Sequence, residues 1–228
     1  MPKLTYLGHA GFLIEGGGST LVIDPFLEGN PLASAAPADI HADYVLVTHG
    51  HPDHLGDAVP IAKANGAIII APFELATYCE GKGAQAHPMH IGGGFDFPFG
   101  RVKLTIAHHG SAVPGDRGME YTGSPCGFVV SMDGKNIYHA GDTGLFLDMK
   151  LIGELNKLDA AILPVGDNFT MGVDDAVKAV EFLNPGITIP MHYDTFDVIK
   201  ADLDDFRRKV EALKKDAVVL KVGESIEV

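Results

Sequence analysis

Tyr44-Val45-Leu46-Val47-Thr48-His49-Gly50-His51-Pro52-Asp53-His54 runs from an apolar strand, through a polar loop, into a helix. Its first four residues are of buried-strand type. His49 and His51 are two apart on extended chain and point the same way. Asp53 and His54 lie past Pro52, where the chain turns into the helix, and aim at a second point nearby. Gly50 keeps the loop free of bulk and Pro52 fixes its shape. Three imidazoles and one carboxylate in this stretch suit two borderline-soft divalent ions. A surface loop that merely happened to hold these histidines would set imidazoles side by side with nothing to offset their repulsion when protonated. Metal binding is therefore the stronger reading.

The rest of the chain is compatible with an enzyme. It has 228 residues, 46% hydrophobic and 21% charged, which is enough for a core without staples and excludes a disordered chain. No low-complexity linker divides it, and one domain over residues 1–228 is expected. No apolar run approaches the roughly 18 residues of a membrane span. Met1–His9 alternates like a strand and has no apolar signal core. Two cysteines, Cys79 and Cys126, make no disulfide framework. A cytoplasmic protein with reduced thiols is expected. Lys+Arg number 17 and Asp+Glu 30, a formal net charge of −13, with no basic cluster. Such a field repels a polyanion, so nucleic acid is a poor partner and a small molecule a better one. Nothing points to a membrane partner. Whether copies of the chain assemble into a homo-oligomer is left open.

Extended stretches recur at Lys3–Leu7, Phe12–Glu15, Thr20–Asp24, Tyr44–Thr48, Ala67–Ala71, Arg101–Ala107, Gly127–Met132, Asn136–Ala140, Ala160–Val165, Ile187–Met191 and Ala217–Val222. Helical stretches are expected at Pro52–Asn65, Phe73–Lys82, Leu145–Leu155, Val173–Leu183 and Asp202–Lys215, the last with an apolar stripe of Leu203, Phe206, Val210 and Leu213. Each half thus reads strands first, then strands alternating with helices. Sheets packed on each other with helices outside account for this order, and so does a doubly wound sheet.

His-x-His-x-Asp-His after a strand resembles the metallo-β-lactamase superfamily, an α/β (α+β) fold of four αββα layers with metals at one sheet edge. Leu21-Val22-Ile23-Asp24-Pro25, Ala107-His108-His109-Gly110-Ser111, His139-Ala140-Gly141-Asp142-Thr143 and Pro190-Met191-His192-Tyr193 resemble its further motifs in order. Leu7-Gly8-His9-Ala10, Pro164-Val165-Gly166-Asp167 with Thr170-Met171-Gly172, and His192-Tyr193-Asp194-Thr195-Phe196 look more narrowly like the metal-dependent hydrolases of the UPF0173 type, akin to ascorbate-6-phosphate lactonase. The resemblance implies that His49, His51 and His109 hold one ion. It gives Asp53, His54 and His192 to a second ion and makes Asp142 the bridge. Taken alone, Asp142 reads equally as a turn aspartate and His192 as a core histidine.

Adjacent His108 and His109 point to opposite faces of an extended chain, so only one converges on His49 and His51. Val102, Leu104, Ile106 and His108 share the apolar face, which favours His108. A turn at Gly110-Ser111 and the resemblance favour His109. The resemblance makes Asp24 an acceptor that orients a metal-binding side chain. His9 and Asp167 read either as substrate-facing or as structural. Tyr121, Asn168, Thr170, Tyr193, Thr195 and Phe196 are candidates for pocket lining, with Tyr193 and Thr195 beside the last ligand segment. His41, His87, His90 and His139 match no ligand motif and read as structural or exposed.

Two divalent ions, zinc or manganese, with iron or nickel as further options, would lower the pKa of a shared water toward neutral. The metal-bound hydroxide would attack an ester, lactone or similar bond, with Asp53 and Asp142 as the catalytic carboxylates. A phosphodiesterase or nuclease on the same site is the alternative, disfavoured by the missing basic patch. A di-iron redox protein is a third. Scaffolds used for oxygen or nitric oxide reduction resemble this one but put a glutamate where His51 stands and add a flavin module.

Overall fold

A computed structural model describes residues 1–228. Its first sheet holds β1 (Lys3–Gly8), β2 (Gly11–Gly16), β3 (Ser19–Ile23), β4 (Tyr44–Leu46), β5 (Ile68–Pro72) and β6 (Gln85–Met89). The second holds β7 (Gly94–Phe97), β8 (Gly100–Ile106), β11 (Cys126–Met132), β12 (Lys135–His139), β13 (Ala160–Pro164), β14 (Ile187–Met191) and the short β15 (Asp216–Ala217). Between β8 and β11, β9 (Ala112–Gly115) and β10 (Gly118–Tyr121) form a separate hairpin. The C-terminal β16 (Ser225–Glu227) crosses back and closes the first sheet beside β1.

In each sheet an antiparallel half leads into parallel strands: β3, β4, β5 and β6 in the first, β12, β13, β14 and β15 in the second. Alternation along these strands sets the layers. Leu21, Ile23, Leu46 and Ile70 face inward onto Val102, Leu104, Phe128, Val130, Ile162 and Ile189 of the other sheet. Their neighbours Val22, Val45, Val47 and Ile69 face outward onto α2 (Ala58–Asn65) and α3 (Phe73–Gly81). On the far side, α4 (Met149–Asn156), α5 (Val173–Leu183) and α6 (Leu203–Ala212) cover Tyr138, Ala161 and Leu163. This is the expected four-layer sandwich. No helix is long and apolar enough to cross a membrane.

Three expectations about elements change. The single helix over Pro52–Asn65 is two helices, because Gly56 takes φ +38° against Pro25, whose carbonyl a Cβ there would meet at 2.5 Å. That leaves α1 as one turn, Pro52–Leu55. Buried Asp57 then accepts the N–H groups of Leu27 and Glu28 at 2.8 and 2.9 Å, which ties the loop after Asp24 to α2. The strand over Ala217–Val222 stops at Ala217, since Leu220 turns into the core while the chain crosses between sheets. Edge strands β6 and β7 and the β9–β10 hairpin lack alternation or carry proline, so no strand was expected there.

Candidate metal centre

The parallel strands of both sheets end at one edge, and the loops past β3, β4, β8, β12 and β14 bring Asp24, His49–His54, His109, Asp142 and His192 together there. His51 caps α1 in an extended conformation, with Pro52 at the first helical position. Gly50 admits no side chain: a Cβ would stand 2.3 Å from the Thr122 hydroxyl. Its N–H donates to Ser111 Oγ at 3.0 Å, which pins the first-sheet loop to the segment after His109.

Buried Asp24 sits behind this loop. Its carboxylate accepts the Thr48 N–H at 2.8 Å, the Thr48 hydroxyl at 2.6 Å and the Nδ1 proton of His54 at 2.8 Å. The Thr48 hydroxyl proton is thereby used, so the oxygen accepts Nδ1–H of His49 at 2.9 Å. Both histidines thereby turn Nε2 toward the cavity. Asp24 acts through the tautomers of two histidines, where one was expected.

Two groups of donors result. His49 Nε2 and His109 Nε2 lie 3.0 and 3.3 Å from His51 Nδ1. Asp53, His54 and His192, with His9, form the other group, their ligand atoms all within 4.8 Å of one another. Asp142 stands between the groups. Oδ1 is 3.2 Å from His54 Nε2, and Oδ2 is 3.0 Å from His192 Nε2 and 3.6 Å from His109 Nε2. The residues fit metal binding on one further observation. His54 Nε2 and Asp142 Oδ1 are fully buried, yet neither makes a hydrogen bond. Bare buried polar atoms of this kind are costly unless a cation takes them up. Nitrogen and carboxylate donors together suit a borderline divalent ion.

Protons repeat the pattern in the absence of ions. Burial pulls His192 down, but the Asp142 carboxylate and hydrogen bonds with Asp142 and Asp53 lift it to about 9. His54 rises well above the usual range, against burial, between Asp142 and Asp24. Burial would raise Asp53 and Asp142; the surrounding histidines outweigh it and hold both well below the carboxylate range. Burial lowers His49, His51 and His109.

The remaining expected residues fall into place unevenly. β8 ends at Ile106, so strand alternation no longer governs the next residues. His109 joins the cluster while exposed His108 packs on Phe146 at 5.0 Å. His9 is buried in the left-handed region, φ +57°; its Nε2–H donates to Asp53 Oδ2 at 3.1 Å and Nδ1 accepts the Thr195 hydroxyl at 2.9 Å. Burial lowers it to about 4. Tyr193 is buried behind the site against Tyr6. Phe196 stands 5.6 Å from the His9 ring. Asp167 and Asn168 are exposed on a turn, and neither they nor Thr170 line the cavity. Tyr121 is a correction: the hairpin turns it 73% exposed toward Pro72, Glu74 and His90, away from the cluster. One residue escaped sequence reasoning: Phe169 lines the cavity. His139, expected to be structural or exposed, is buried and structural: it accepts the Gly141 N–H at 3.2 Å and donates to the Ala10 carbonyl at 2.9 Å, which holds the strand end before Asp142.

Two packed sheets with helices outside and metal-binding side chains at the shared strand edge define a metallo-β-lactamase fold. The Beta-lactamase superfamily domain family matches residues 3–192. A UPF0173 metal-dependent hydrolase of Pelotomaculum thermopropionicum is 56% identical over 99% of both chains, and one of Anoxybacillus flavithermus 54% identical over 99% of both. Igni18, a novel metallo hydrolase from the archaeon Ignicoccus hospitalis, is 37% identical and superposes with a TM-score of 0.90 over 100% of this chain and 99% of that one. The chain belongs to the UPF0173 metal-dependent hydrolases of the β-lactamase superfamily.

Proposed function

We propose that this hydrolase is dinuclear and cleaves the ester, lactone or similar bond of a small molecule. The observation that carries the reading is the position of Asp142, whose two oxygens face both donor groups. We assign His49, His51 and His109 to one ion, Asp53, His54 and His192 to the other, and Asp142 to both. Zinc and manganese suit this mixed set, as do iron and nickel. Two such ions supply Lewis acidity toward the electrophile and a lowered pKa for water.

The chain supplies orientation and charge. Asp24 and Thr48 fix the tautomers of His54 and His49. Asp142 offsets positive charge between the two donor groups. Asp53 lines the cavity, where it orients the attacking water and takes its proton. The water oxygen joins the carbonyl carbon, the acyl C–O bond breaks, and the leaving oxygen takes that proton.

A nuclease reading gains nothing from the cavity, which no lysine or arginine lines. With a net charge of −13, RNA and duplex DNA are expected not to bind at physiological salt. The test is metal analysis after saturating reconstitution, with a panel of chromogenic esters, lactones and phosphodiesters. Two ions per chain with ester or lactone turnover is the expected result. One ion at most, or turnover of phosphodiesters alone, overturns the reading.

A further inference from the structure

We propose that Phe169 determines specificity, and that the substrate group flanking the scissile bond is neutral and apolar, an aryl or alkyl chain without phosphate or carboxylate. The inference rests on the hydrolase reading above and deepens it. The cavity measures about 220 Å³ and is lined by His51, Asp53, His109, Asp142, His192 and Phe169. Five of these belong to the polar cluster. Phe169 is the one apolar wall, and neither lysine nor arginine lines the cavity.

The position of the ring is held by the backbone. Asp167 and Asn168 take φ +58° and +49°, the left-handed turn conformation that aspartate and asparagine adopt more readily than other non-glycine residues. The Met171 N–H donates to the Thr143 carbonyl at 3.0 Å, next to Asp142, and the Asp167 N–H donates to the Met171 carbonyl at 3.0 Å. The turn presenting Phe169 is thus fastened to the loop presenting Asp142. Phe169 is nevertheless 56% exposed. A single exposed aromatic ring is ordinary on a protein surface. A ring on a left-handed turn, tied to the loop of a cluster residue and closing the cavity beside it, is a built wall.

An apolar group stacked there covers the ring and is itself withdrawn from water. Neither lysine nor arginine lines the cavity, so an anion stacked on the ring would lose hydration with only the ions of the proposed centre to offset it, in a chain of net charge −13. Methylene-scale differences against one wall discriminate on the order of tenfold in kcat/KM.

The test uses the protein loaded with ions and three p-nitrophenyl esters: acetate, 3-phenylpropanoate and hemisuccinate. We expect 3-phenylpropanoate to exceed hemisuccinate by about tenfold or more in kcat/KM. Phe169→Ala is expected to cut the ratio of 3-phenylpropanoate to acetate by about tenfold. Phe169→Leu, which keeps an apolar wall, should retain most of that ratio, with circular dichroism confirming that both variants fold. An unchanged ratio in Phe169→Ala, or a preference for hemisuccinate, overturns the proposal. If the loaded protein turned over no ester, the ester part of that reading would fail, and binding would decide the wall separately. Saturation transfer from protein to the phenyl protons of 3-phenylpropanamide, present in the wild type and lost in Phe169→Ala, supports the apolar wall. Equal transfer in both proteins, or none in either, overturns it.

Discussion

Asp24 Oδ2 lies 2.8 Å from His54 Nδ1, with both side chains fully buried. The aspartate never reaches the cavity, yet it decides which nitrogen of His54 does. Asp24→Ala would leave the Thr48 N–H and His54 Nδ1–H unpaired in the interior, at about 1–3 kcal/mol each. It would also free His54 to take the wrong tautomer. We expect metal affinity to fall about 10–100-fold, read by competition with a chromophoric chelator, together with a lower Tm. Unchanged affinity would show that the tautomer is fixed by something else.

Asp142→Ala should lose both ions and all hydrolysis while the fold persists. A carboxylate facing both donor groups offsets repulsion between cations, so its removal costs more than one bond at each. Metal content and circular dichroism on the same sample check this. Full metal and activity in the variant would remove Asp142 from the bridging position.

The sequence made His49, His51, Asp53 and His54 legible because strand, glycine, proline and histidine spacing all agree within eleven residues, Tyr44–His54. The strands β3 to β5 were legible as apolar stretches, but which residues face the other sheet (Leu21, Ile23, Leu46 and Ile70) and which face the helices was not, because both faces are apolar. The break at Gly56 was not legible, because it depends on the Pro25 carbonyl, far along the chain. Nor was Phe169. Its neighbours Asp167, Asn168 and Thr170 drew the pocket expectation instead, and the hydrogen bond from Met171 to Thr143, which no local pattern encodes, ties the turn to the loop of Asp142. The pairing of His9 with Asp53 also joins segments from separate loops, and no local pattern encodes it.

His108 and His109 differ in expected consequence despite adjacency. His109→Ala should lose one ion and hydrolysis. His108→Ala gives up a contact with Phe146 and should keep both ions. The two variants are compared by metal content side by side. Loss in the first variant and retention in the second is the expected outcome, and the opposite pattern would exchange their roles.

The stability of the metal-free protein should peak near pH 6.5. His192 titrates at about 9 when folded, above the usual 6.5. Its contribution is therefore complete below 6.5 and is lost as pH rises through 9. His9 titrates at about 4 when folded, so its contribution is present above 6.5 and is lost as pH falls toward 4. Bound ions displace the protons of His54 and His192, so metal affinity should rise over pH 6.5 to 9 while metal-free stability declines. Thermal melts with and without a chelator across pH 5 to 9 measure both limbs (roughly the titration range of histidine). A metal-free Tm that climbs steadily to pH 9 would contradict the raised His192.

His9 is expected to position Asp53 without holding an ion. Its Nε2 already has a partner, Asp53 Oδ2 at 3.1 Å, and its Nδ1 is satisfied by Thr195. Its ligand atom nevertheless falls in the same group as Asp53, His54 and His192, so geometry alone admits it as a ligand. The substitution has to spare the backbone, because the His9 carbonyl accepts the His192 N–H at 2.7 Å and the Tyr6 hydroxyl at 3.1 Å. Alanine at φ +57° would strain that arrangement, whereas asparagine tolerates the left-handed region. His9→Asn therefore removes the reach to Asp53 and leaves the chain in place. Released from His9, the Asp53 carboxylate loses one of the hydrogen bonds that hold it down, and its titration should move upward. We expect two ions per chain and a kcat lower by about 10–100-fold, within the range general-base positioning commands. Loss of one ion in His9→Asn would instead make His9 a ligand of the second group, and an unchanged kcat would detach it from Asp53.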